Sequence, residues 1–270
     1  LTHPIKLIAI DLDGTLLKDD KTISPHTIDT IQRCTQQGIA IIIATTRAIS
    51  FVTHIHQQLQ LSTPVICATG AEVWEKPSGS LWARQTIPLP VAQAIATLAD
   101  KNGWLLSTTV LDTRYWRQKL GQDLSSTPPD VHIVKTNLDA MHSEPTKILA
   151  KNPSAIRPIL TLCQEQFPDQ CRTEVFHTPE GDEESIVVVS KDADKGTALQ
   201  VVLEKLEIHK DNTMTIGDNN NDLPMFRQSG LAVAMGNALD NIKSQADLVT
   251  DTNENEGVAK IIKQYVLSTN

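Results

Sequence analysis

The chain has 270 residues, room for one large domain or two modest ones, and its 40% hydrophobic and 21% charged content is that of an ordinary globular protein. A net charge of −8 argues against binding along a DNA or RNA backbone, where a basic surface supplies the affinity. It leaves small anionic ligands open, because a local pocket can oppose the overall charge. The four cysteines, Cys34, Cys67, Cys163 and Cys171, form no CxxC pair. No apolar run reaches about 18 residues, and LTHPIK leads straight into a strand without space for a signal peptide. The expectation is a cytoplasmic protein with reduced thiols and no membrane association.

In chain order, residues 7–10 read as a short buried strand that ends in DLDGTLL. Ser24 and Pro25 read as the N-cap and first residue of a helix that stops at Gly38. A second buried strand follows at 39–44, a helix at 48–60 and a third strand at 65–68. The next hundred residues differ. They hold a helix at 90–102, Trp104, Trp116, a Pro-rich break at SSTPPD, a strand in TKILA, a helix at 153–167 and strands near 171–176 and 184–189. Alternation then resumes, with helices at 197–206, 223–228 and 256–267 and strands at 213–216 and 231–234. Alternating strands and helices predict a doubly wound, Rossmann-like α/β core with a parallel sheet. The expected core comprises residues 1–83 and 191–270, with an α+β cap of residues 84–190 inserted in it.

Ligands of parallel α/β sheets gather at the carboxyl ends of the strands. Four polar clusters fall there: Asp11-Leu12-Asp13, Thr45-Thr46-Arg47, Thr69-Gly70 and the run GDNNND from Gly217 to Asp222. Asp11, Asp13, Asp218 and Asp222 bring several carboxylates together with no His or Cys, a donor set that suits Mg²⁺ rather than zinc. A divalent cation would also explain how acids can crowd. With Thr45, a lysine and backbone N–H groups as an anion pocket, the pattern points to phosphoryl transfer. Asp11 is then the nucleophile and Asp13 the acid that protonates the leaving group and the base that activates water.

DLDGTLL, ATTR, DKGTAL and GDNNND, in that order, resemble the haloacid dehalogenase superfamily of phosphatases. The inserted middle unit, followed by VAMGNALDNIKSQADLVTDTNENEGVAKII, looks like its Cof-type subfamily. The resemblance implies that Asp11 is nucleophile and metal ligand, that Asp13 adds its backbone carbonyl to the metal, and that Asp218 is a further ligand. It implies that Thr45 and the N–H of Thr46 hold phosphoryl oxygens, that Lys195 stabilises developing charge, that Asn221 lies near the phosphate, and that Asp222 completes the loop. Thr46 stands where the family usually has Gly, and Thr69 where Asn is common. That bulk keeps the N–H but alters the space near the phosphate.

Several residues admit plainer readings. Lys191 rivals Lys195, which is favoured because Lys195-Gly196 opens a helix and a helix N-terminus suits anions. Arg47 is open between a supporting role and a surface ion pair. The run DKT at 20–22 precedes a capped helix and reads as a decoy. His54 and His56 read as exposed, and Trp104, Arg114, Trp116 and His177 more as packing than as substrate readers. The expected substrate is a small phosphorylated metabolite, a sugar or cofactor phosphate, with the cap choosing the leaving group. The alternatives are a phosphomutase of the same superfamily or a non-catalytic sensor. Oligomeric state is not fixed by the sequence, and a monomer suffices for this reading.

Overall fold

A computed structural model describes residues 3–110, 113–117, 127–128, 130–178 and 181–267. The chain forms two compact units, one of Leu1–Ala83 with Asp194–Asn270 and one of Arg84–Ala193.

The first segment runs β1 (Leu7–Ile10), α1 (Pro25–Gln36), β2 (Ala40–Ala44), α2 (Ile49–Gln58), β3 (Val65–Cys67), β4 (Glu72–Trp74) and β5 (Leu81–Arg84). The inserted unit holds α3 (Leu89–Asn102), β6 (Leu106–Val110), β7 (Thr113–Arg117), β8 (Val131–Val134), β9 (Lys147–Ala150), α4 (Pro153–Gln166), β10 (Cys171–His177) and β11 (Glu183–Ser190). The last segment holds α5 (Lys195–Lys205), β12 (Thr213–Gly217), α6 (Leu223–Phe226), β13 (Leu231–Ala234), α7 (Asp240–Lys243), β14 (Leu248–Val249) and α8 (Gly257–Ile262).

The strands of the first unit order as β14-β13-β12-β1-β2-β3-β4-β5. Pairing is parallel from β14 to β3. Both faces are covered, so β1 is apolar at every position. Ile8, Ile10, Ile41 and Ile43 point to the side of Ile31 and Ile261, while Leu7, Ala9, Ile42 and Ala44 meet Leu199, Met225 and Ile242. Each buried Ile, Leu or Met here stabilises the fold by about 1.5–3 kcal/mol.

Local signals explain several boundaries. The Ser24 hydroxyl accepts the Thr27 N–H at 3.1 Å with Pro25 as the first helical residue, a cap worth about 1 kcal/mol. Gly38 follows the helix with φ +79. Helix α5 begins at Lys195, two residues before the expected start, because Asp194 caps it by accepting the Thr197 N–H at 2.7 Å. The sequence did not reveal β4, which runs antiparallel to β3 and, with β5, extends the parallel sheet at one edge.

The second unit has a six-stranded sheet of order β10-β11-β9-β6-β7-β8, antiparallel except between β7 and β8. Helices α3 and α4 pack on it through Ile95, Ile156 and Ile159, against Leu106, Ile148, Ile186 and Val188. Half of the break SSTPPD, namely Ser125, Ser126 and Pro129, falls outside the described residues. Trp104 is buried in this core. Arg114 is buried too, and its guanidinium donates to both oxygens of Asp130 at 2.6 and 2.8 Å. His177 is exposed.

His56 corrects an expectation. It is buried, with Nε2 2.9 Å from the Thr63 carbonyl. It shares the inward face of α2 with Ile49 and Val52 at three- and four-residue spacings, which sets its burial. His54 is exposed as expected.

Candidate active site

Strand β1 lies between β2 and β12, so the chain winds outward in both directions from this pair. The carboxyl ends of β1 and β12 therefore flank the topological switch point, where open α/β sheets form their crevice. Asp11 follows β1 and Asp218 follows β12.

Lys195 lies at the centre of the cluster. It has no solvent exposure, and its Nζ donates to Asp11 Oδ1 and to Asp222 Oδ1, each at 2.6 Å. Burial alone would lower its pKa, but Asp11 and Asp222 outweigh burial and hold it above the ordinary lysine value. Asp11, only 6% exposed, is raised well above the usual carboxylate range by burial and by Asp222 and Asp218, against the pull of Lys195. Burial and Asp222 likewise push Asp218 up to about 6.

Oxygens of Asp11, Asp218 and Asp222 lie within 4.8 Å of one another. Three carboxylates facing one ammonium leave an excess of negative charge, and every donor is a hard oxygen, so the cluster fits a Mg²⁺-like cation. Asp222 has little capacity left for it. Its Oδ2 accepts the N–H groups of Asp218 and Asn219 at 2.9 and 3.0 Å, and its Oδ1 is taken by Lys195. Asp222 therefore shapes the loop and holds the lysine, while Asp11 and Asp218 are better placed as ligands. Thr15 Oγ1 donates to Asp218 Oδ1 at 3.0 Å. Gly14 at φ +79 permits this approach, since a Cβ there would lie 2.5 Å from Asp218 Oδ2.

Asp13 faces other partners. Arg47 donates from Nε to its Oδ2 and from Nη2 to its Oδ1, both at 2.7 Å, and Lys21 Nζ donates to Oδ1 at 3.0 Å. Burial would raise this carboxyl, but the hydrogen bonds from Arg47 and Lys21 outweigh it and hold the pKa below the usual range. The Asp13 carboxylate is thus absent from the Asp11–Asp218–Asp222 cluster. The chain itself supplies much of the positive charge that lets these acids crowd: Lys195 for Asp11, and Arg47 with Lys21 for Asp13.

Thr45 is buried, its hydroxyl accepting the Arg47 N–H at 3.2 Å and its carbonyl the Thr69 N–H at 3.1 Å. Thr46 is half-buried beside it. Ala68, Thr69 and Gly70 form a left-handed run with φ of +50, +64 and +89, costly for a β-branched residue. A Cβ on Gly70 would lie 2.2 Å from the Asp194 carbonyl, so this turn presses on the start of α5 where Lys195 emerges. Asn221 sits on the turn Asn220–Asp222 with its Oδ1 buried and unpartnered among the described residues. Lys191, the rival lysine, is half-exposed and donates to the Pro168 carbonyl at 2.8 Å.

Lys21 is the residue the sequence reading missed. It sits in the supposed decoy DKT, at φ +66, and the reversal of the chain brings it back to Asp13. A basic residue eight positions after Asp13 in a polar turn was the only available signal.

The sequence also matches a family model described as haloacid dehalogenase-like hydrolase over residues 8–262. The chain belongs to the haloacid dehalogenase-like hydrolases. Among these it is similar to two proteins of Bacillus subtilis named as 5-amino-6-(5-phospho-D-ribitylamino)uracil phosphatases. YcsE is 31% identical over 97% of this chain and 96% of its own length, and YitU is 31% identical over 96% and 97%. A crystal structure of a haloacid dehalogenase-like hydrolase from Bacteroides thetaiotaomicron superimposes with a TM-score of 0.82 at 25% identity, covering 96% of this chain and 99% of that one.

Proposed function

We propose that this hydrolase is a Mg²⁺-dependent phosphatase that cleaves a small phosphorylated metabolite through an aspartyl phosphate on Asp11. The observation that carries the reading is the fully buried Lys195 ammonium between Asp11 and Asp222 at 2.6 Å. The buried ammonium aims the Asp11 carboxyl and opposes the burial and neighbouring acids that raise its pKa, and charge-assisted bonds of this kind are about twice as strong as neutral ones. With Oδ1 held, Oδ2 of Asp11 would attack phosphorus in line.

Asp13 would give its proton to the leaving alkoxide as the ester bond breaks. It would then take a proton from the water that hydrolyses the acyl phosphate, returning Asp11 to a free carboxylate. Arg47 and Lys21 favour the ionised form of Asp13 in the free enzyme. A phosphate dianion would offset those two cations and raise the proton affinity of Asp13 when substrate is present. Asp11 and Asp218, with the Asp13 carbonyl, would hold Mg²⁺, which when bound neutralises charge on the phosphoryl group. Thr45, the N–H of Thr46 and the side-chain amide N–H of Asn221 would donate to phosphoryl oxygens.

Every catalytic candidate lies outside residues 84–190. That division supports assigning choice of the leaving group to the inserted unit. Two relatives of 31% identity named for a ribitylamino-uracil phosphate favour phosphate on a polyol or sugar chain. No described helix is long and apolar enough to cross a membrane, which is compatible with the expected cytoplasmic site of action.

The test is phosphate release from 5-amino-6-(5-phospho-D-ribitylamino)uracil, sugar phosphates, pyridoxal phosphate, flavin mononucleotide and 4-nitrophenyl phosphate, with Mg²⁺ and after chelation. Mg²⁺-dependent release that is lost in Asp11→Asn supports the reading. Release from none of them, or full activity after chelation, would sink it.

A further inference from the structure

Of the four asparagines between Met235 and Gly257, the phosphatase reading leaves unused two that are set apart by their contacts, Asn237 and Asn253. Both reach the loop that follows β1. Asn253 is buried, 7% exposed, although its side chain is an amide. Its Nδ2 donates to the Leu17 carbonyl and to Asp19 Oδ1, each at 3.1 Å. Its backbone N–H donates to Asn237 Oδ1 at 3.1 Å, and Asn237 Nδ2 donates to the Gly14 carbonyl at 2.8 Å. The neighbouring Glu254 accepts the Asp19 N–H through Oε1 at 2.7 Å.

Four of these bonds tie the loop at residues 14, 17 and 19 to two loops more than two hundred residues later in the chain, and the fifth joins those two loops to each other. The tied residues surround the chemistry. Gly14 directly follows Asp13 and lies against Asp218, and Thr15 donates to Asp218. The loop has few bonds of its own to fix it, chiefly Thr15 and Leu17 N–H to the Leu12 carbonyl and Leu16 N–H to that of Asp11. A buried amide that donates two bonds is an expensive group to leave unpaired, so its placement specifies one loop position.

We infer that Asn253, acting with Asn237, is a positioning residue for the loop that carries Asp11 and Asp13. The relay holds the Gly14 peptide, and so sets where Asp13 sits relative to Asp11 and Asp218. Its catalytic consequence rests on the roles given to those aspartates above. Partners of this outer kind typically change activity by about 10- to 100-fold when removed.

The test uses the full chain with Asn253→Ala, Asn237→Ala, Asn237→Asp and a control, Asn212→Ala. Asn212 also donates from an amide to a backbone carbonyl, that of Pro4 at 2.7 Å, but at the amino ends of the strands. Amide hydrogen exchange over residues 12–19 reads the tether without any substrate. Turnover of 4-nitrophenyl phosphate reads its consequence. The expected result is exchange at least about tenfold faster in the Asn253 and Asn237 variants, with kcat down about 10- to 100-fold and KM little changed. Asn237→Asp, which keeps the shape but loses the donor, should behave like Asn237→Ala. The control should match wild type in both measurements. Unchanged exchange in all variants overturns the tether. Faster exchange with wild-type kcat overturns the positioning role and leaves the relay structural. If wild type turns over no phosphate ester, the phosphatase reading fails, while the exchange data still decide whether the tether exists.

Discussion

Arg47 grips Asp13 with two parallel hydrogen bonds of 2.7 Å, and Lys21 closes on the same carboxylate from the next turn at 3.0 Å. A guanidinium fork fixes a carboxylate in both position and plane, which an ammonium cannot do. Arg47→Lys should therefore keep the charge and lose the orientation. First-turnover rates of leaving-group release from an alkyl phosphate should fall about tenfold or more, toward the 10²–10⁴-fold that positioned proton transfer supplies. Aryl phosphate, whose leaving group needs no proton, should lose less. Equal losses on both substrates would place Arg47 in phosphate binding instead.

Asp13→Asn should separate the two half-reactions. With 4-nitrophenyl phosphate the ester bond can still break, but the water that clears Asp11 lacks its base. Stopped-flow traces should show a burst of nitrophenol followed by slow turnover. A linear trace with no burst would make Asp13 structural and call for another acid.

Lys195→Met should destabilise the metal-free protein strongly. Removing one partner from a buried ion pair typically costs about 3–5 kcal/mol, and here it leaves the clustered carboxylates of Asp11, Asp218 and Asp222 without their ammonium. Thermal unfolding should show a large drop in Tm that Mg²⁺ partly restores. A Tm within a degree of wild type would mean that the aspartates are protonated in the resting protein.

The raised pKa of Asp218, about 6, gives a pH signature. A carboxyl whose folded pKa lies above its unfolded value stabilises the fold fully below the unfolded value, and that contribution is lost as pH rises through about 6. The metal-free protein should lose this increment between about pH 4 and 6. Mg²⁺ needs the ionised carboxylate, so its stabilising shift in Tm should grow over the same window and level off above it. A Mg²⁺ shift that is flat from pH 4.5 to 7.5 would remove Asp218 from the ligand set.

Much of this architecture could be read in the sequence, for identifiable reasons. Strands buried on both faces are continuous apolar runs, so β1, β2 and β13 stand out. The Ser24-Pro25 start of α1 carries its own cap chemistry. The candidate catalytic clusters follow strand ends, where topology alone aims them at one crevice. What escaped notice depends on tertiary contacts. β14 has two residues, and β6 and β7 are rich in Thr, Ser and Arg, so neither gives a clean apolar period. Arg114 on β7 meets Asp130, just before β8, and Lys21 meets Asp13 by a reversal of the chain; neither pair leaves a local pattern. The burial of His56 follows from the face of α2, not from its own polarity, so residue type alone points the wrong way.

The central claim is that Asp11 carries the phosphoryl group, and rapid quenching followed by borohydride reduction tests it most directly. Borohydride converts an aspartyl phosphate to homoserine and leaves a free carboxylate untouched. Asp13→Asn should be mixed with 4-nitrophenyl phosphate and Mg²⁺, quenched during the burst, reduced, digested and analysed by peptide mass spectrometry. Homoserine at position 11, absent without substrate and absent when Asp11→Asn is added to the variant, is the predicted result. Nitrophenol release with Asp11 unmodified, or the label on another residue, would contradict the account.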